Sequence, residues 1–402
     1  MLEKMFKLKE NNTSFRTEVV AGLTTFMAMA YILAVNPNIL SATGMNPDAI
    51  LLATALASFV GCMAMALLAN YPFALAPGMG LNAYMAFTVC GNMGYSWQIA
   101  LLAVFVEGLI FIVLSLTNVR EAIFNAIPMA LKKGVSAGIG LFIAFIGLQG
   151  ANLVVNDDST LLTYVKFVGD FHTIGIGALL ALIGLFIIVV LHHKNIKGSI
   201  LIGILATWIL GMICEAIGLY VPDGKEFYSL YPTFRMIDFG AFGTTFGQCF
   251  NVDFSGVDIL NFIAVLFAFL FVDIFDTLGT LIGVSTKANM LDEEGKLPRI
   301  RPALLADAIA TSVGAIFGTS TTTTYVESSA GVAAGGRTGL SAMVTGLLFL
   351  LAIVFAPIFT AIPSFATAPA LIFVGFLMIS SIISIDFEDI TEAVPAYLAM
   401  LA

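Results

Sequence analysis

Apolar stretches separated by short polar connections make up most of the chain. Ten of them approach the roughly 20 residues that a helix needs to cross the hydrocarbon core of a bilayer. They lie at about residues 19–35, 50–69, 98–117, 134–150, 173–192, 198–217, 258–286, 302–318, 339–357 and 366–384. Two shorter elements, at about 76–90 and 327–336, stand between full-length stretches and bring the predicted crossings to twelve. A last apolar run begins near Ala393, so we expect the chain to stop within a thirteenth crossing, with C-terminal spans missing.

The composition narrows the class of protein. Of the 402 residues, 59% are hydrophobic and 11% are charged, and the mean hydropathy is +1.00. These values lie far from those of soluble domains. We therefore predict an all-α polytopic membrane protein that has the lipid bilayer as a partner. The net charge of −9 does not indicate a nucleic-acid partner, because where the charges lie matters more than their sum.

The basic residues predict the orientation of the spans. With the N-terminus in the cytoplasm and each short element crossing once, 14 of the 17 Lys and Arg residues fall on the cytoplasmic side. Cytoplasmic connections are enriched in Lys and Arg. This split favours a cytoplasmic N-terminus, in what we expect to be a bacterial inner membrane. It also favours both short elements as true crossings.

Neither the cysteines nor the polar connections indicate an enzyme. The four cysteines, Cys62, Cys90, Cys214 and Cys249, are scattered singly, without the spacing of a disulfide framework or a metal site. The longest hydrophilic connection, about 218–257, contains no catalytic constellation. We expect no catalytic activity, no metal and no cofactor.

A weak internal repeat runs through the chain. Three short matches occur in the same order in both halves, pairing Ala55–Gly61 with Ala308–Gly314, Gly108–Phe111 with Gly346–Phe349, and Ala126–Pro128 with Ala361–Pro363. Seven predicted crossings separate the copies, and an odd number turns the second copy upside down. Inverted repeats of this kind are typical of transporters, whose substrate site lies near the bilayer midplane between interrupted helices.

The two short elements are the predicted interrupted helices. The first follows Pro72 and Pro77, which disfavour a continuous helix. The second follows a run of threonines at 319 and 321–324, whose β-branched side chains favour an extended backbone. Glu327 then stands at the start of a short predicted helix, where the helix dipole favours a carboxylate. Two extended segments at this depth are expected to pair, because lipid cannot satisfy their backbone groups.

Carboxylates within the spans are the candidate functional groups. Asp273 and Asp276 are three residues apart, and Thr277 and Thr280 continue the same polar stripe of one predicted helix. A carboxylate near the bilayer centre costs at least a few kcal/mol. No Lys or Arg within a span is available to neutralise these acids, so we favour a water-accessible site that includes Glu327 over a structural ion pair.

Other polar positions have two interpretations. Asp307 either faces the connection that contains Arg299 and Arg301 at the membrane interface or belongs to a proton path. Glu107 is expected to form a hydrogen bond between helices. The glycines of Pro77–Gly80 either allow close helix packing or expose backbone to a ligand.

At these motifs the chain resembles the adenine/guanine/hypoxanthine permease branch of the nucleobase–cation symporter family. The similar stretches are APGMGLNAY (76–84), FVDIFDTLGT (271–280), TYVESS (324–329) and GVAAGGRTG (331–339). The resemblance implies seven plus seven inverted spans, with short strands and half-helices in spans 3 and 10. It also implies a core domain from 14–118 and 258–357, and a gate domain from 119–257 and an incomplete 358–402.

The resemblance also implies a function and a site. The family imports purine nucleobases such as hypoxanthine, guanine and adenine by secondary active transport, and we expect the proton to be the coupling ion. By position, Asp273, Glu327, Asn82, Gly80 and Thr277 are expected to bind the base. The proton-coupling acids are expected at Asp276 and Asp307. Whether the protein forms a homodimer stays open.

Several alternatives also stay open. An inverted-repeat transporter of another small anion or organic acid would favour a basic or backbone-only site. An intramembrane aspartyl protease also uses two membrane carboxylates, but on separate helices, whereas Asp273 and Asp276 share one turn. A passive channel is the third alternative, and sodium is the alternative coupling ion.

Overall fold

A computed structural model describes residues 2–117, 119, 128–157, 159–165, 167, 170–222, 227–232, 237–255, 257–288, 290–292 and 297–401. Some positions used in the sequence predictions lie outside these residues. They are Ala126 and Ile127 of the third repeat match and the basic residues Arg120, Lys166, Lys225, Arg235 and Lys296.

The described chain is mainly helical. Its helices are α1 (Leu2–Met5), α2 (Phe15–Met29), α3 (Ile32–Leu40), α4 (Pro47–Ala64), α5 (Met79–Ala83), α6 (Trp97–Leu116), α7 (Met129–Gly150), α8 (Ile176–His193), α9 (Ser199–Ala216), α10 (Ile259–Lys287), α11 (Ile300–Phe317), α12 (Ser328–Ala333), α13 (Gly339–Ala352), α14 (Ala356–Thr360), α15 (Ser364–Ile379) and α16 (Ile390–Leu401). Its strands are β1 (Leu75–Pro77), β2 (Val154–Asp157), β3 (Leu161–Tyr164) and β4 (Thr322–Thr324). Short 3-10 and π turns extend several helices, such as Tyr84–Asn92 after α5.

Within the described residues, nine helical stretches are long and apolar enough to cross a membrane. They coincide with the first nine full-length stretches of the sequence and confirm a polytopic membrane protein. The tenth is shorter than predicted, because α15 ends at Ile379 and a 3-10 turn follows at Ser380–Ser384. The first span is interrupted at Ala30 and Tyr31, which the apolar pattern did not predict.

The chain forms two compact units. The first contains Met1–Lys132 and Ile237–Ala356, and the second contains Lys133–Met236 and Pro357–Ala402. Each unit therefore takes one segment from each half of the chain. The assignment of a core domain and a gate domain to particular boundaries stays a prediction.

The two halves interlock within the first unit. A Cβ atom at Gly108 of α6 would lie 2.9 Å from the backbone nitrogen of Ser312 in α11. At the matching glycine of the second half, Gly346 of α13, it would lie 3.3 Å from the carbonyl oxygen of Phe59 in α4. Phe59 and Ser312 are themselves equivalent positions of the predicted repeat. In each half, the equivalent glycine therefore packs against the equivalent position of the other half.

Helices of the second unit also approach closely at glycines. A Cβ atom at Gly140 of α7 would lie 2.7 Å from the carbonyl oxygen of Gly375 in α15. Between α7 and α8, strands β2 and β3 form an antiparallel hairpin, with Val154 opposite Tyr164. Small residues let helix backbones pack tightly where lipid gives no hydrophobic driving force.

Strands β1 and β4 form the centre of the first unit. They pair antiparallel, with Leu75 opposite Thr324 and Pro77 opposite Thr322, and both are fully buried. The pairing continues past both strand ends, because the Gly78 N–H donates to the Thr321 carbonyl at 2.9 Å and the Tyr325 N–H donates to the Ala74 carbonyl at 3.0 Å. Strand pairing satisfies backbone groups at a depth where water is scarce. The predicted pairing of the two extended segments is confirmed.

Candidate functional site

Each strand of the central pair leads directly into a short helix. β1 is followed by Gly78 and α5, and β4 is followed by Tyr325, Val326, Glu327 and α12. The Ser328 hydroxyl, at the start of α12, accepts a hydrogen bond from the Ala74 N–H at 3.0 Å. The Tyr325 hydroxyl donates to the Pro77 carbonyl at 2.5 Å. These contacts fix the start of each short helix against the opposite strand.

Gly78 is a glycine because the strand pair leaves no room for a side chain there. A Cβ atom at this position would lie 2.9 Å from Cγ2 of Thr323 in β4 and 3.6 Å from Oδ2 of Asp276. The absence of a side chain therefore lets β4 and the Asp276 carboxylate approach the start of α5. The sequence suggested either close packing or exposure of backbone to a ligand for these glycines. At Gly78 the contact is one of close packing, between the start of α5 and strand β4.

Replacing Gly78 with alanine is expected to displace β4 and weaken the site. Overpacking a tight contact costs about 1–3 kcal/mol, so the apparent Tm in detergent should fall. The control is Gly283→Ala, because a Cβ atom at Gly283 in α10 meets nothing within 4 Å. Alanine also favours the helix there. Equal melting temperatures for the two variants would show that the strand pair tolerates the added methyl group.

Glu327 is held in a fixed orientation by a tyrosine from the first span. The hydroxyl of Tyr31 donates to Oε1 of Glu327 at 2.6 Å, and the Tyr31 side chain is fully buried. Tyr31 lies at the interruption between α2 and α3. Tyr31 was not predicted as a site residue from the sequence, although a lone tyrosine inside an apolar span was a signal.

Asp276 lies next to the start of α5. The residue is partly exposed, and its Oδ2 atom lies 3.6 Å from the position that a Cβ atom at Gly78 would take. It is also within electrostatic range of Asp307 and Glu327. Asp276 from α10 therefore lies beside the carboxyl end of β1, whereas Glu327 at the start of α12 follows the carboxyl end of β4, at the opposite end of this short antiparallel pair.

Asp273 occupies a different environment from Asp276. It is fully buried, as are Thr277 and Asp307. The Thr277 hydroxyl lies 3.0 Å from Oδ1 of Asp273 and 3.0 Å from each carboxylate oxygen of Asp307. It also lies 2.7 Å from the hydroxyl of Thr323 in β4. We call these four residues the threonine-centred cluster.

Asn82 contributes an amide from α5. It is fully buried, and its side-chain oxygen accepts a hydrogen bond from the Ser320 hydroxyl. Its amide nitrogen has no hydrogen-bond partner among the described residues. The two ends of an amide are assigned from their contacts, so one end of Asn82 lacks a hydrogen-bond partner within the described part of the chain. Gly80 lies in the only turn of α5, two residues before Asn82.

Two further acids are placed differently from their sequence interpretations. Asp307 is fully buried against Thr277 and does not lie at an interface facing Arg299 and Arg301. Glu107 accepts a hydrogen bond from the Thr321 hydroxyl at 2.9 Å. The donor precedes β4, so this bond joins a helix to the strand segment and not to another helix.

Glu18 was also missed by the sequence analysis. Its fully buried carboxylate accepts from the Arg337 N–H at 2.8 Å, the Thr338 N–H at 3.3 Å and the Ser341 hydroxyl at 2.6 Å. Arg337 in turn donates through Nη1 to the carbonyls of Val332 and Gly336. Glu18 of α2 therefore holds the turn that joins α12 to α13.

The strand pair, its flanking short helices and the membrane carboxylates match a known family. The model of the xanthine/uracil permease family, described as "Permease family", matches residues 16–401. The chain belongs to this family. The resemblance drawn from the sequence motifs is confirmed.

This permease is also similar to individual family members over nearly its whole length. It is 47% identical over 406 aligned positions to guanine/hypoxanthine permease PbuO of Bacillus subtilis (strain 168). That alignment covers 99% of this chain and 89% of the relative. It is 41% identical over 399 aligned positions to adenine permease AdeQ of Escherichia coli (strain K12). The alignment covers 99% of this chain and 84% of the relative.

The fold of this permease is also found at low sequence identity. The transmembrane domain of a cyanobacterium bicarbonate transporter, BicA, superposes with a TM-score of 0.69 at 17% identity, covering 96% of this chain and 94% of BicA. The likeness concerns the fold alone. With the paired strands in the two interrupted spans, it confirms the predicted all-α inverted-repeat transporter fold.

Proposed function

We propose that this permease imports purine nucleobases together with protons. The observation that carries the proposal is the pair of acids, Asp276 and Glu327, which lie within electrostatic range of each other beside the buried strand pair. The names of the relatives, guanine/hypoxanthine permease and adenine permease, support the choice of substrate.

The chemistry of a purine base fits these groups. A purine is neutral and planar, and its edges alternate hydrogen-bond donors and acceptors. Carboxylates accept hydrogen bonds only, whereas an amide both donates and accepts. Glu327 and Asp276 would therefore accept N–H groups of the base, and the free end of Asn82 would bind a further edge atom. A site built to hydrogen-bond a substrate strongly rejects analogues that lack the matching group.

The environments of Asp273 and Asp276 favour an exchange of the roles expected from the family. Asp276 is partly exposed beside Gly78, whereas Asp273 is fully buried against Thr277. Asp273 already has Thr277 as a partner, whereas Oδ2 of Asp276 faces the start of α5. We therefore place Asp276 at the base and Asp273 at the proton, with Thr277 beside Asp273. Gly80 would give the base access to the backbone of α5.

Transport of small anions fits these residues poorly. The span of α10 from Ile259 to Ser285 contains two aspartates and no Lys or Arg. Helix α12 next to Glu327 contains no basic residue either. Carboxylates near the site would repel an anionic substrate and disfavour its binding. A purine base carries no such penalty.

Uptake of labelled hypoxanthine by cells that express the protein tests the proposal. We expect saturable uptake that unlabelled guanine and adenine compete away and that bicarbonate leaves unchanged. A protonophore should abolish accumulation, and replacing sodium with potassium should not. Uptake that depends on sodium would overturn proton coupling, and competition by anions but not by purines would overturn the substrate. A cytoplasmic N-terminus and a homodimer stay predictions.

A further inference from the structure

The outer edges of the central strand pair need partners that the two strands do not supply. In an antiparallel pair, alternate residues exchange hydrogen bonds across the pair, and the residues between them direct their N–H and C=O groups outward. The bond from the Gly78 N–H to the Thr321 carbonyl sets this alternation. With the observed register, the backbone groups of Leu75 in β1 and Thr322 in β4 therefore face outward. Lipid cannot satisfy such groups, so their partners must come from the protein.

A cysteine of α4 satisfies the outer edge of β1. The Leu75 N–H donates to the Cys62 sulfur at 3.3 Å, and the Cys62 thiol donates to the Leu75 carbonyl at 3.5 Å. A thiol can do both, as a weak donor and a weak acceptor. Pro77, the other outward residue of β1, has no N–H, and its carbonyl accepts a hydrogen bond from the Tyr325 hydroxyl at 2.5 Å. The outward groups of β1 are thus hydrogen-bonded to side chains.

A threonine of α11 caps the outer edge of β4. The Thr311 hydroxyl donates to the Thr322 carbonyl at 3.0 Å, and both residues are fully buried. Helix α11 precedes β4 in the chain, as α4 precedes β1. Each strand is therefore capped on its outer edge by a side chain of the span that leads into it.

The two caps lie beside equivalent glycines of the predicted repeat. Gly61 and Gly314 are the last residues of the first repeat match. A Cβ atom at Gly61 would lie 3.0 Å from Cβ of Leu75, and one at Gly314 would lie 2.7 Å from Oγ1 of Thr322. The capping side chains are close to these glycines in sequence. The same tight contact between a span and the following strand therefore occurs in both halves.

We propose that Cys62 and Thr311 are positioning residues of the base site, which act through the outer edges of the strand pair. The inference rests on the proposed function, because the groups that they position are those that would bind the base. Leu75, which Cys62 holds, lies three residues before Gly78. Gly78 in turn packs beside the Asp276 carboxylate. A shift of β1 would therefore change the place of the base relative to Asp276.

The cap on β4 acts on the remaining acids. Thr322 directly precedes Thr323, whose hydroxyl lies 2.7 Å from that of Thr277 in the threonine-centred cluster. Strand β4 also leads through Tyr325 into Glu327. A shift of β4 would therefore disturb both the cluster and the start of α12.

Kinetics of hypoxanthine uptake at equal surface expression test the proposal. Thr311→Val keeps the shape of the side chain and removes its hydroxyl, and Cys62→Ala removes the sulfur. Loss of a net hydrogen bond that aligns the site should raise KM about fivefold to tenfold, with kcat less affected. Thr311→Ser and Cys62→Ser keep a donor and an acceptor, so their KM should stay near that of wild type.

Thr207→Val is the matched control. The Thr207 hydroxyl also donates to a carbonyl, that of Gly203 in its own helix, at 2.7 Å, and Thr207 is fully buried. Thr207 belongs to the second unit, whereas the strand pair belongs to the first. The same substitution there should leave KM unchanged.

Hydrogen–deuterium exchange gives a second readout, which needs no substrate. Amides exchange through local opening, so Thr311→Val and Cys62→Ala should increase deuterium uptake in peptides that cover 74–78 and 321–327. The control and the serine variants should match wild type in the same peptides.

The outcomes separate the two proposals. A wild-type KM in both Thr311→Val and Cys62→Ala would overturn the positioning role, and so would serine variants that are as impaired as these two. Unchanged deuterium uptake in both variants would overturn it as well. Failure of the wild-type protein to take up hypoxanthine would instead overturn the proposed function, and the exchange readout would still test the caps.

Discussion

Replacing Glu327 with glutamine is expected to abolish measurable hypoxanthine uptake. The Tyr31 hydroxyl donates to one oxygen of Glu327 at 2.6 Å and would still donate to the amide oxygen of glutamine. The amide nitrogen of the glutamine must then face the base. Its N–H groups would oppose the N–H donor of the substrate, so no hydrogen bond could form. Losing a charge-assisted hydrogen bond and opposing two donors costs about 3 kcal/mol or more, roughly a hundredfold in affinity.

Tyr31→Phe is the companion variant. It keeps the carboxylate and removes only the bond that orients it. We expect KM to rise by about tenfold, within the range of a hydrogen bond to a charged group, with kcat less affected. Direct binding of labelled hypoxanthine to both purified variants measures the effect. Wild-type affinity in Glu327→Gln would exclude Glu327 as a ligand, and an unchanged KM in Tyr31→Phe would exclude the orienting role.

Glu18→Ala is expected to have the largest effect on stability. The Glu18 carboxylate satisfies two backbone N–H groups and the Ser341 hydroxyl at the turn between α12 and α13. Removing it leaves the two backbone N–H groups without this acceptor, at about 1–3 kcal/mol each, whereas the Ser341 hydroxyl keeps the Glu18 backbone carbonyl at 3.1 Å. The turn that positions α12, and with it Glu327, should loosen. We expect a large fall in the apparent Tm and a low yield of monodisperse protein.

Glu10→Ala is the control for the loss of an N-terminal acid. Glu10 forms an exposed ion pair with Lys7 at 3.3 Å. Exposed pairs contribute about 0–1 kcal/mol, so the melting temperature should stay near that of wild type. A melting temperature of Glu18→Ala as high as that of Glu10→Ala would show that the turn does not depend on Glu18.

Local patterns in the sequence were sufficient to predict the fold class and the strand pair. The threonine run at 321–324 and the prolines near Ala76 favour extended backbone by their own geometry. Their pairing follows from the need to satisfy backbone groups within lipid. The glycine matches at Gly108 and Gly346 likewise predicted an inverted repeat, which their equivalent contacts in the two halves reflect.

The proposed roles of the two acids could not be predicted from their spacing. Asp273 and Asp276 are 60° apart around an α-helix of 3.6 residues per turn, so both lie on the predicted polar stripe. Their neighbours differ because α11 supplies Asp307 to one and the start of α5 supplies Gly78 to the other. Which helix packs against which edge of the stripe depends on tertiary structure. No local pattern contains that information.

Tyr31 and Glu18 illustrate the same limit. Tyr31 contacts Glu327 across 296 residues of sequence, and Glu18 contacts Arg337 across 319. Polar residues inside an apolar span were the available signal. That signal marks a position for attention but does not identify its partner.

The central claim is that Asp276 and Glu327 bind the purine beside the strand pair. A structure of this permease with bound hypoxanthine tests it most directly. We predict base nitrogens within about 2.6–3.2 Å of the carboxylates of both Glu327 and Asp276, with Asp273 still bonded to Thr277. A base that contacts Asp273 in place of Asp276, or that lies away from Glu327, would contradict the account.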